Sequence, residues 1–408
     1  MLCSLKGYDK MFKKKALYLS YTGLLEPLGR SQILAYLSRL SDEYQFTIVS
    51  FEKADDFVEV SKVEALQKEC ASYGINWQPK IYHHKPRLLA TLWDLWVLLH
   101  ATWKFSRSGR TELVHCRSYI PAIAALLTGK VTKVPFVFDM RALWLDEMIE
   151  AGRLDRGSIV HRILVSLENK LLKEAAHVVS LTQTAVDYLQ AQKPHLKSQN
   201  FSVITTCVDL SKFITRNIES SPKKLGTMGT VISGWYHLDW LFLTLQTQMK
   251  KDKSATFKIV TRDSEQTLRE LAIQYGIDDS KLEIISSRPN DIANNIANIK
   301  AGLLYFTAGV SKLGSAPTRM GEFLACGIPV IGNRGVGDMA DLIERYKVGV
   351  VIEDGSQASI DNALANLEVL YQDKDLATRC RDAAEVYFSA DSGAEKYRKI
   401  YKSIISHD

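Results

Sequence analysis

Short apolar runs alternate with amphipathic helical stretches along the whole chain, and this alternation constrains the fold more than any other feature. Lys15-Ala-Leu-Tyr-Leu-Ser20, Phe46-Thr-Ile-Val-Ser50, Leu113-Val-His115, Pro135-Phe-Val-Phe-Asp139 and Ala176-His-Val-Val-Ser-Leu181 read as strands. Helical spacing fills the intervals at 31–41, 60–73, 88–106, 121–128 and 161–174. Strands that alternate with helices predict a parallel sheet covered on both faces. The pattern then recurs. Thr230-Val-Ile-Ser233 is expected to open a second sheet, continued by Phe257–Thr261, Leu282–Ile285, Ala301–Tyr305, Pro329–Ile331 and Val348–Ile352. Helices are expected between them at 238–250, 265–275, 291–298 and 319–325. The chain has 408 residues. Single cores stop growing near roughly 250–300 residues, so two domains are expected. The polar stretch Ser211–Leu225, with Ser220-Ser221-Pro222, has linker composition and puts the boundary after Val208-Asp209.

Composition removes several function classes. A hydrophobic fraction of 46% with 24% charged residues is that of a globular chain. Six cysteines are scattered with no C-x-x-C pair, which argues against a zinc ribbon or a disulfide framework and for reduced thiols in the cytoplasm. No secretory leader is evident, and the most apolar stretch, Leu88–Trp103, is broken by Asp94 and His100 and falls short of the ~20 residues that span a bilayer. The chain is therefore expected to be cytoplasmic. Its mild net charge of +6 fits either a solvated surface or attraction to anionic partners. The same two readings apply to Trp93, Trp96, His100 and Trp103, which share one helical face between the basic stretches His83–Arg87 and Lys104–Arg110. They form either a core stripe or a surface that rests on anionic lipid at the inner face of the cytoplasmic membrane. No basic-aromatic module suggests nucleic acid.

In open parallel sheets, ligands bind beyond the carboxyl ends of the strands, so the loops there hold the candidate residues. Pro27-Leu-Gly29-Arg30-Ser31-Gln32 precedes a helix whose free N–H groups suit a phosphate, and Gly29 permits close backbone approach. Ser31 is equally a helix cap. Neither G-x-G-x-x-G nor G-x-x-x-x-G-K-[ST] is present, which removes the main support for a nicotinamide dehydrogenase and for a P-loop NTPase. The most informative segment runs from Ser311 to Ile331: a polar loop with Gly314, Ser315 and Pro317 enters a helix that ends at Gly327. Thr318 and Arg319 occupy its first turn, where hydroxyl, guanidinium and free N–H groups suit a diphosphate. Glu322, one turn on, can accept two hydrogen bonds from a ribose diol, or simply pair with Arg319. Arg262 follows the 258–261 strand and Arg288 lies in the Ser287–Asp291 loop; each is a donor-site candidate or a surface arginine. In the first half, Asp139, Arg141, Trp144, Asp146 and Glu147 crowd one loop after a strand, and His115 and Arg117 end a neighbouring strand.

The segment Glu322-Phe-Leu-Ala-Cys-Gly-Ile-Pro-Val-Ile331, with a basic residue three before the glutamate, resembles the nucleotide-binding signature of retaining GT-B glycosyltransferases of family 4. Supporting matches keep the family's order: Tyr18-Leu-Ser-Tyr21 with Gly29, Leu113–Arg117, Asp139–Trp144, Glu168–Leu172, Val203–Asp209 and Tyr387-Phe388-Ser389. The resemblance implies an α/β fold of two Rossmann-like domains whose parallel sheets face across a cleft. Residues 1–209 would form the acceptor domain, joined by a returning helix of about 386–408, and 210–385 the donor domain. It implies a hexosyltransferase that moves a sugar with retention from a UDP- or GDP-sugar to a glycan or lipid-linked acceptor, in bacterial surface polysaccharide synthesis, without metal or cofactor. The implied roles are donor binding for Gly29, Arg30, Arg262, Arg288, Ser315, Pro317, Thr318, Arg319 and Glu322. Asp139 and Arg141 would be catalytic, and His115, Arg117, Trp144 and Glu147 would contact the acceptor. Three positions depart from the family: Gly314 stands where the first glutamate of Glu-x(7)-Glu belongs, the loop Gly229–Gly234 lacks the Arg/Lys pair, and Asp139 replaces a histidine. A nucleotide-sugar 2-epimerase on the same fold, or a relative that binds without turnover, are the alternatives.

Overall fold

The computed structural model describes residues 13–26, 29–107, 111–215, 224–288 and 291–405. Among these residues thirteen strands form two parallel sheets. The first contains β1 (Lys14–Ser20), β2 (Tyr44–Glu52), β3 (Asn76–Ile81), β4 (Thr111–Arg117), β5 (Phe136–Asp139), β6 (His177–Ser180) and β7 (Phe201–Val203), in the order β3-β2-β1-β4-β5-β6-β7. The second contains β8 (Lys224–Met228), β9 (Thr256–Val260), β10 (Leu282–Ile285), β11 (Ala301–Leu304), β12 (Val330–Asn333) and β13 (Gly349–Ile352), in the order β10-β9-β8-β11-β12-β13. This is the doubled α/β architecture that the alternation predicts.

The central strands are unbroken apolar runs because both faces are covered by helices. In β1, everything from Ala16 to Ser20 is buried, and the register pairs Ala16 with Phe46 and Leu17 with Thr47. The edge strand β3, Asn-Trp-Gln-Pro-Lys-Ile, is absent from the sequence expectation. It lacks such a run and contains Pro79, which an edge strand tolerates because a missing donor there breaks no inner ladder.

The second sheet corrects one expectation. It opens at Lys224–Met228, inside the stretch taken for linker, and Thr230–Ser233 is a loop. The Asp263 carboxylate accepts the N–H groups of Val231 (2.7 Å) and Ile232 (3.0 Å), satisfying donors that a strand would have used. Gly226 disguises β8 as linker, yet glycine is required there: a Cβ would lie 2.5 Å from the Lys258 carbonyl oxygen of β9.

By compactness the chain divides into 1–138 with 398–408, and 139–397. The sequence-based boundary after Asp209 instead falls between the last strand of the first sheet and the first strand of the second. Helices used below are α1 (Arg87–Arg107), α2 (Tyr119–Thr132), α3 (Trp144–Glu150), α4 (Thr318–Ala325) and α5 (Ala390–Ile405). No helix among the described residues is long and apolar enough to cross a membrane. The described cysteines, Cys70, Cys116, Cys207, Cys326 and Cys380, are all buried, and none of them is joined in a disulfide.

Candidate functional site

Helix α4 carries the most informative segment, and its sequence explains its placement. Met320, Phe323 and Leu324 enter the core of the second sheet, while Gly321 lets Phe388 pack directly on the helix: a Cβ there would sit 2.6 Å from that ring. Gly327 ends the helix at φ +77°, and the Ile328 N–H returns to the Phe323 carbonyl at 3.0 Å. Pro317 is the N-cap and supplies no side-chain cap, so the first turn, with Thr318 and Arg319, keeps backbone donors open to an anion.

Arg319 and Glu322 do not form a salt bridge. The guanidinium turns toward the loop after β8, where Nη2 donates to the Thr230 carbonyl at 3.1 Å. It lies over Phe306 and Tyr236, 5.2 and 5.7 Å from the ring centroids. Gly229, at φ +81°, makes room for it, since a Cβ there would be 2.7 Å from Nη2. Nη1 is buried and has no partner among the described residues. Burial lowers the Arg319 pKa, an effect that Tyr236, Glu322 and Asp263 oppose. Burial likewise pushes the Glu322 carboxyl up to about 7, with Arg319 pulling the other way. A cation and a carboxylate thus share a low-dielectric surface without satisfying each other.

The 311–315 turn lies beside α3 within the 139–397 unit. The Lys312 ammonium sits 2.9 Å from the Trp235 ring centroid, and burial lowers its pKa against the pull of Glu147 and Glu150. Burial in turn raises the Glu147 carboxyl, which Lys312 counteracts. Glu150 accepts the Ser311 N–H at 3.0 Å and the Ser311 hydroxyl. Gly314 has a steric reason: a Cβ would lie 3.1 Å from the Leu143 N atom and 3.3 Å from its Cγ. A glutamate at 314 would collide with the turn that leads into α3. Ser315 and Pro317 help line a cavity of about 30 Å³ with Thr182, Asp338 and Lys396, to which neither Arg319 nor Glu322 contributes.

Of the remaining donor-site candidates, Arg262 and Arg288 are exposed at the ends of β9 and β10. Pro27, Leu28, Pro289 and Asn290 lie outside the described residues. Gly29 is buried and packs so closely that a Cβ would lie within 1.8 Å of the Gly23 carbonyl oxygen. The chain enters a π-helix at Arg30–Leu34, and Arg30 is ion-paired with Glu69, so its side chain is already committed on the surface.

The first-sheet candidates separate into two kinds. His115 is 1% exposed, stacks on Tyr18 at 4.4 Å and shares a hydrogen bond from Nδ1 with the Tyr401 hydroxyl at 2.7 Å. It is a packed core histidine in this structure, closed off from solvent, with its Nδ1 already engaged. Asp139 is also 1% exposed, accepts from the Tyr397 hydroxyl at 3.0 Å and lies 3.6 Å from Arg141. Arg141 adopts φ +61°, the left-handed region that a branched, bulky side chain avoids. Arg117 is buried at the end of β4, and its Nη1 has no partner among the described residues. Trp144 opens α3 half-buried.

Sequence reasoning missed Asp263, Trp235, Tyr236 and Phe306. The Trp-Tyr-His run after Gly234 was the available signal, since aromatic residues next to a glycine loop can form a platform for a cation. Among the described residues, no group of three or more His, Cys, Asp or Glu side chains could hold a metal ion.

Residues 35–203 match the family model described as glycosyl transferase 4-like domain. The chain thus carries a glycosyl transferase 4-like domain over those residues. A glycosyltransferase from Rickettsia africae ESF-5 is similar over 97% of this chain and 100% of its own, at 15% identity and a TM-score of 0.70. Alr3699/HepE from Anabaena, solved with UDP, is similar over 95% of this chain and 100% of its own, at 14% identity and a TM-score of 0.68. It has also been solved with UDP-glucose. Sucrose-phosphate synthase from Thermosynechococcus elongatus is similar over 97% and 100%, at 11% identity and a TM-score of 0.68. At these identities the likeness is one of fold, and that fold is GT-B. No curated protein is similar enough in sequence to count as a match.

Proposed function

We propose that this glycosyltransferase moves a sugar, with retention, from a UDP- or GDP-sugar to a glycan or lipid-linked acceptor in bacterial surface polysaccharide synthesis. The observation that carries the reading is the unpaired couple on α4: a guanidinium with an unsatisfied Nη1 and, one turn away, a carboxylate raised to about 7. A diphosphate placed at the helix N-terminus gives Arg319 the anion it lacks, and a ribose diol gives Glu322 two donors. Thr318, Ser315 and the backbone at Pro317 complete that donor site, with Arg262 and Arg288 as outlying cations. The residues to 209, with the C-terminal helix, form the acceptor half, and 210–385 the donor half. HepE in complex with UDP and with UDP-glucose supports a uridine nucleotide on this fold.

The transfer breaks the bond between the anomeric carbon and the diphosphate oxygen and forms a bond from that carbon to an acceptor hydroxyl oxygen on the same face. The hydroxyl proton passes to the departing phosphate oxygen. Arg319 and the N–H groups of α4 meet the charge that develops there, so the reading needs no metal. Asp139 and Arg141, held by Tyr397 and by a strained backbone, line the sugar and acceptor site with Trp144 and Glu147. The exposed faces of Trp93, Trp96 and Trp103 on α1, with Leu88, Leu89 and Leu92 beside them, support docking on an anionic membrane surface, where a lipid-linked acceptor resides.

A thermal-shift screen against UDP-, GDP-, ADP- and CMP-sugars tests the donor site, because a ligand that binds only the folded state raises its melting temperature. A UDP- or GDP-sugar is expected to stabilise the chain. Arg319→Ala is expected to weaken the nucleoside diphosphate more than the nucleoside. No shift with any nucleotide sugar, or equal loss for both ligands, overturns the assignment.

A further inference from the structure

Asp94 is a buried charge that the donor and acceptor readings leave unused. It lies on α1, and its side chain is fully buried. Its Oδ2 accepts from the Tyr21 hydroxyl at 2.9 Å and from the His83 backbone N–H at 3.1 Å, and its Oδ1 lies 2.6 Å from His83 Nδ1. A carboxylate accepts hydrogen bonds only, so Nδ1 carries a proton, and in the neutral imidazole Nε2 is then the acceptor. The imidazole is 44% exposed, and Nε2 has no partner among the described residues. The dyad therefore presents one oriented acceptor atom to solvent.

Its place in the sheet gives that atom a role. Tyr21 directly follows β1 and His83 stands two residues beyond β3; β1, β2 and β3 are parallel, so both lie at the carboxyl edge where ligands of such sheets bind. Between them, the buried Glu52 at the end of β2 accepts the N–H groups of Leu24 (2.9 Å) and Leu25 (3.0 Å), fixing the loop after β1. Half-buried Tyr82 meets Tyr21 edge to face at 5.3 Å, and Tyr21 shares Asp94 with His83, so the aromatic pair belongs to the same cluster at this edge. An oriented acceptor atom is the chemistry that holds a sugar hydroxyl, which needs a directional partner.

We propose that His83, held in one tautomer by Asp94, binds a non-attacking hydroxyl of the acceptor sugar through Nε2. The proposal rests on the glycosyl-transfer reading and adds an acceptor subsite to it. His83 touches the acceptor; Asp94 and Tyr21 are positioning residues.

The test uses the full chain, whichever nucleotide sugar stabilises it, and the p-nitrophenyl glycosides of glucose, galactose, mannose and N-acetylglucosamine as acceptors. Transfer to at least one glycoside is expected. His83→Ala is expected to raise the acceptor KM about tenfold, the loss of one well-placed hydrogen bond, while the donor-induced thermal shift stays as in the wild type. His83→Gln, whose amide oxygen reaches the Nε2 position, restores most of the acceptor affinity. Asp94→Asn behaves like His83→Ala, because its amide N–H can face Nδ1 and drive the proton to Nε2. Transfer to none of the glycosides, an unchanged acceptor KM in His83→Ala, or no rescue by glutamine overturns the proposal. Failure of every nucleotide sugar to stabilise the chain instead overturns the donor reading, a separate outcome.

Discussion

Replacing Glu322 by glutamine isolates the cost of holding a carboxylate ready for ligand. Burial lifts this side chain from the ordinary 4.5 to about 7. Each pH unit of that rise is worth about 1.4 kcal/mol, so the ionised form costs the folded state at most roughly 3–4 kcal/mol. Because the folded value lies above the unfolded one, the stability is fully present below pH 4.5 and is lost as pH rises through 7. Glutamine removes the charge but keeps the shape, and its own desolvation resembles that of the protonated acid. The gain from Glu322→Gln is therefore expected to be about 2 kcal/mol larger at pH 8 than at pH 5. For a unit of this size that is a difference of several degrees, roughly 2–4 °C per kcal/mol, readable by differential scanning fluorimetry. The same charge governs the donor: a ribose diol donates to the ionised form, so wild-type affinity for a UDP- or GDP-sugar rises with pH up to about 7, by as much as about tenfold per unit. The variant binds weakly and without that slope. Equal stabilisation at both pH values, or donor affinity unchanged by the substitution, refutes the placement of an unpaired carboxylate at the ribose.

Three further outcomes are expected. Gly314→Glu does not raise turnover and lowers the melting temperature, because its side chain must displace the turn at Leu143, 3.1 Å from the Cβ position; overpacking of this kind costs about 1–3 kcal/mol, measurable by urea titration. Asp139→Asn lowers kcat with little change in nucleotide affinity, and Tyr397→Phe, which removes one hydrogen bond to it, lowers kcat less; collapse of nucleotide affinity in steady-state and binding assays argues against the assignment. Trp93→Ala with Trp96→Ala abolishes co-sedimentation with anionic liposomes, and added salt weakens the wild type, since charge attraction is screened within about 8 Å at physiological ionic strength; no wild-type binding at low salt removes the membrane reading.

The doubled sheet is legible in the sequence because its inner strands are buried on both faces and cannot avoid unbroken apolar runs such as Phe136–Asp139 and Ala301–Leu304. The strands that escape notice are β3 at one edge with Pro79, the three-residue β7 at the other edge, and β8 with Gly226 pressed against Lys258. In the candidate site, α4 was legible because proline, glycine and periodic apolar residues set its ends and its buried face. Whether Arg319 pairs with Glu322 was not, since three-residue spacing permits the pair and only the side-chain direction of Arg319 shows that it does not form. His115 shows the converse. Its place at a strand end suggests an acceptor contact, and only the distant Tyr401 reveals that its Nδ1 is engaged in the core. The tryptophan stripe of α1 left core and surface open, and 54% and 56% exposure of Trp93 and Trp96 places those rings outside the core.

The separation of Arg319 from Glu322 is informative because the chain pairs arginines with carboxylates readily elsewhere. Arg269 binds both Glu265 and Asp279, Arg334 binds both Glu344 and Glu353, and Arg381 binds Glu385 four residues away. Those pairs lie on solvated surface, where they contribute little to stability. On α4 the environment is drier and the attraction correspondingly larger, yet the guanidinium turns away toward Gly229 and Thr230 and leaves Nη1 unsatisfied. Local rules that fail together, an unpaired cation, an unpaired carboxylate and a left-handed glycine that makes room for the cation, mark a site at which folding and ligand binding compete. A diphosphate and a diol resolve all the unsatisfied contacts at once, and a molecule with only one of the two groups does not. On the proposed donor reading, the free energy that folding forgoes at α4 favours an intact nucleoside diphosphate over a nucleoside or a bare diphosphate, and discrimination of the sugar must come from other residues.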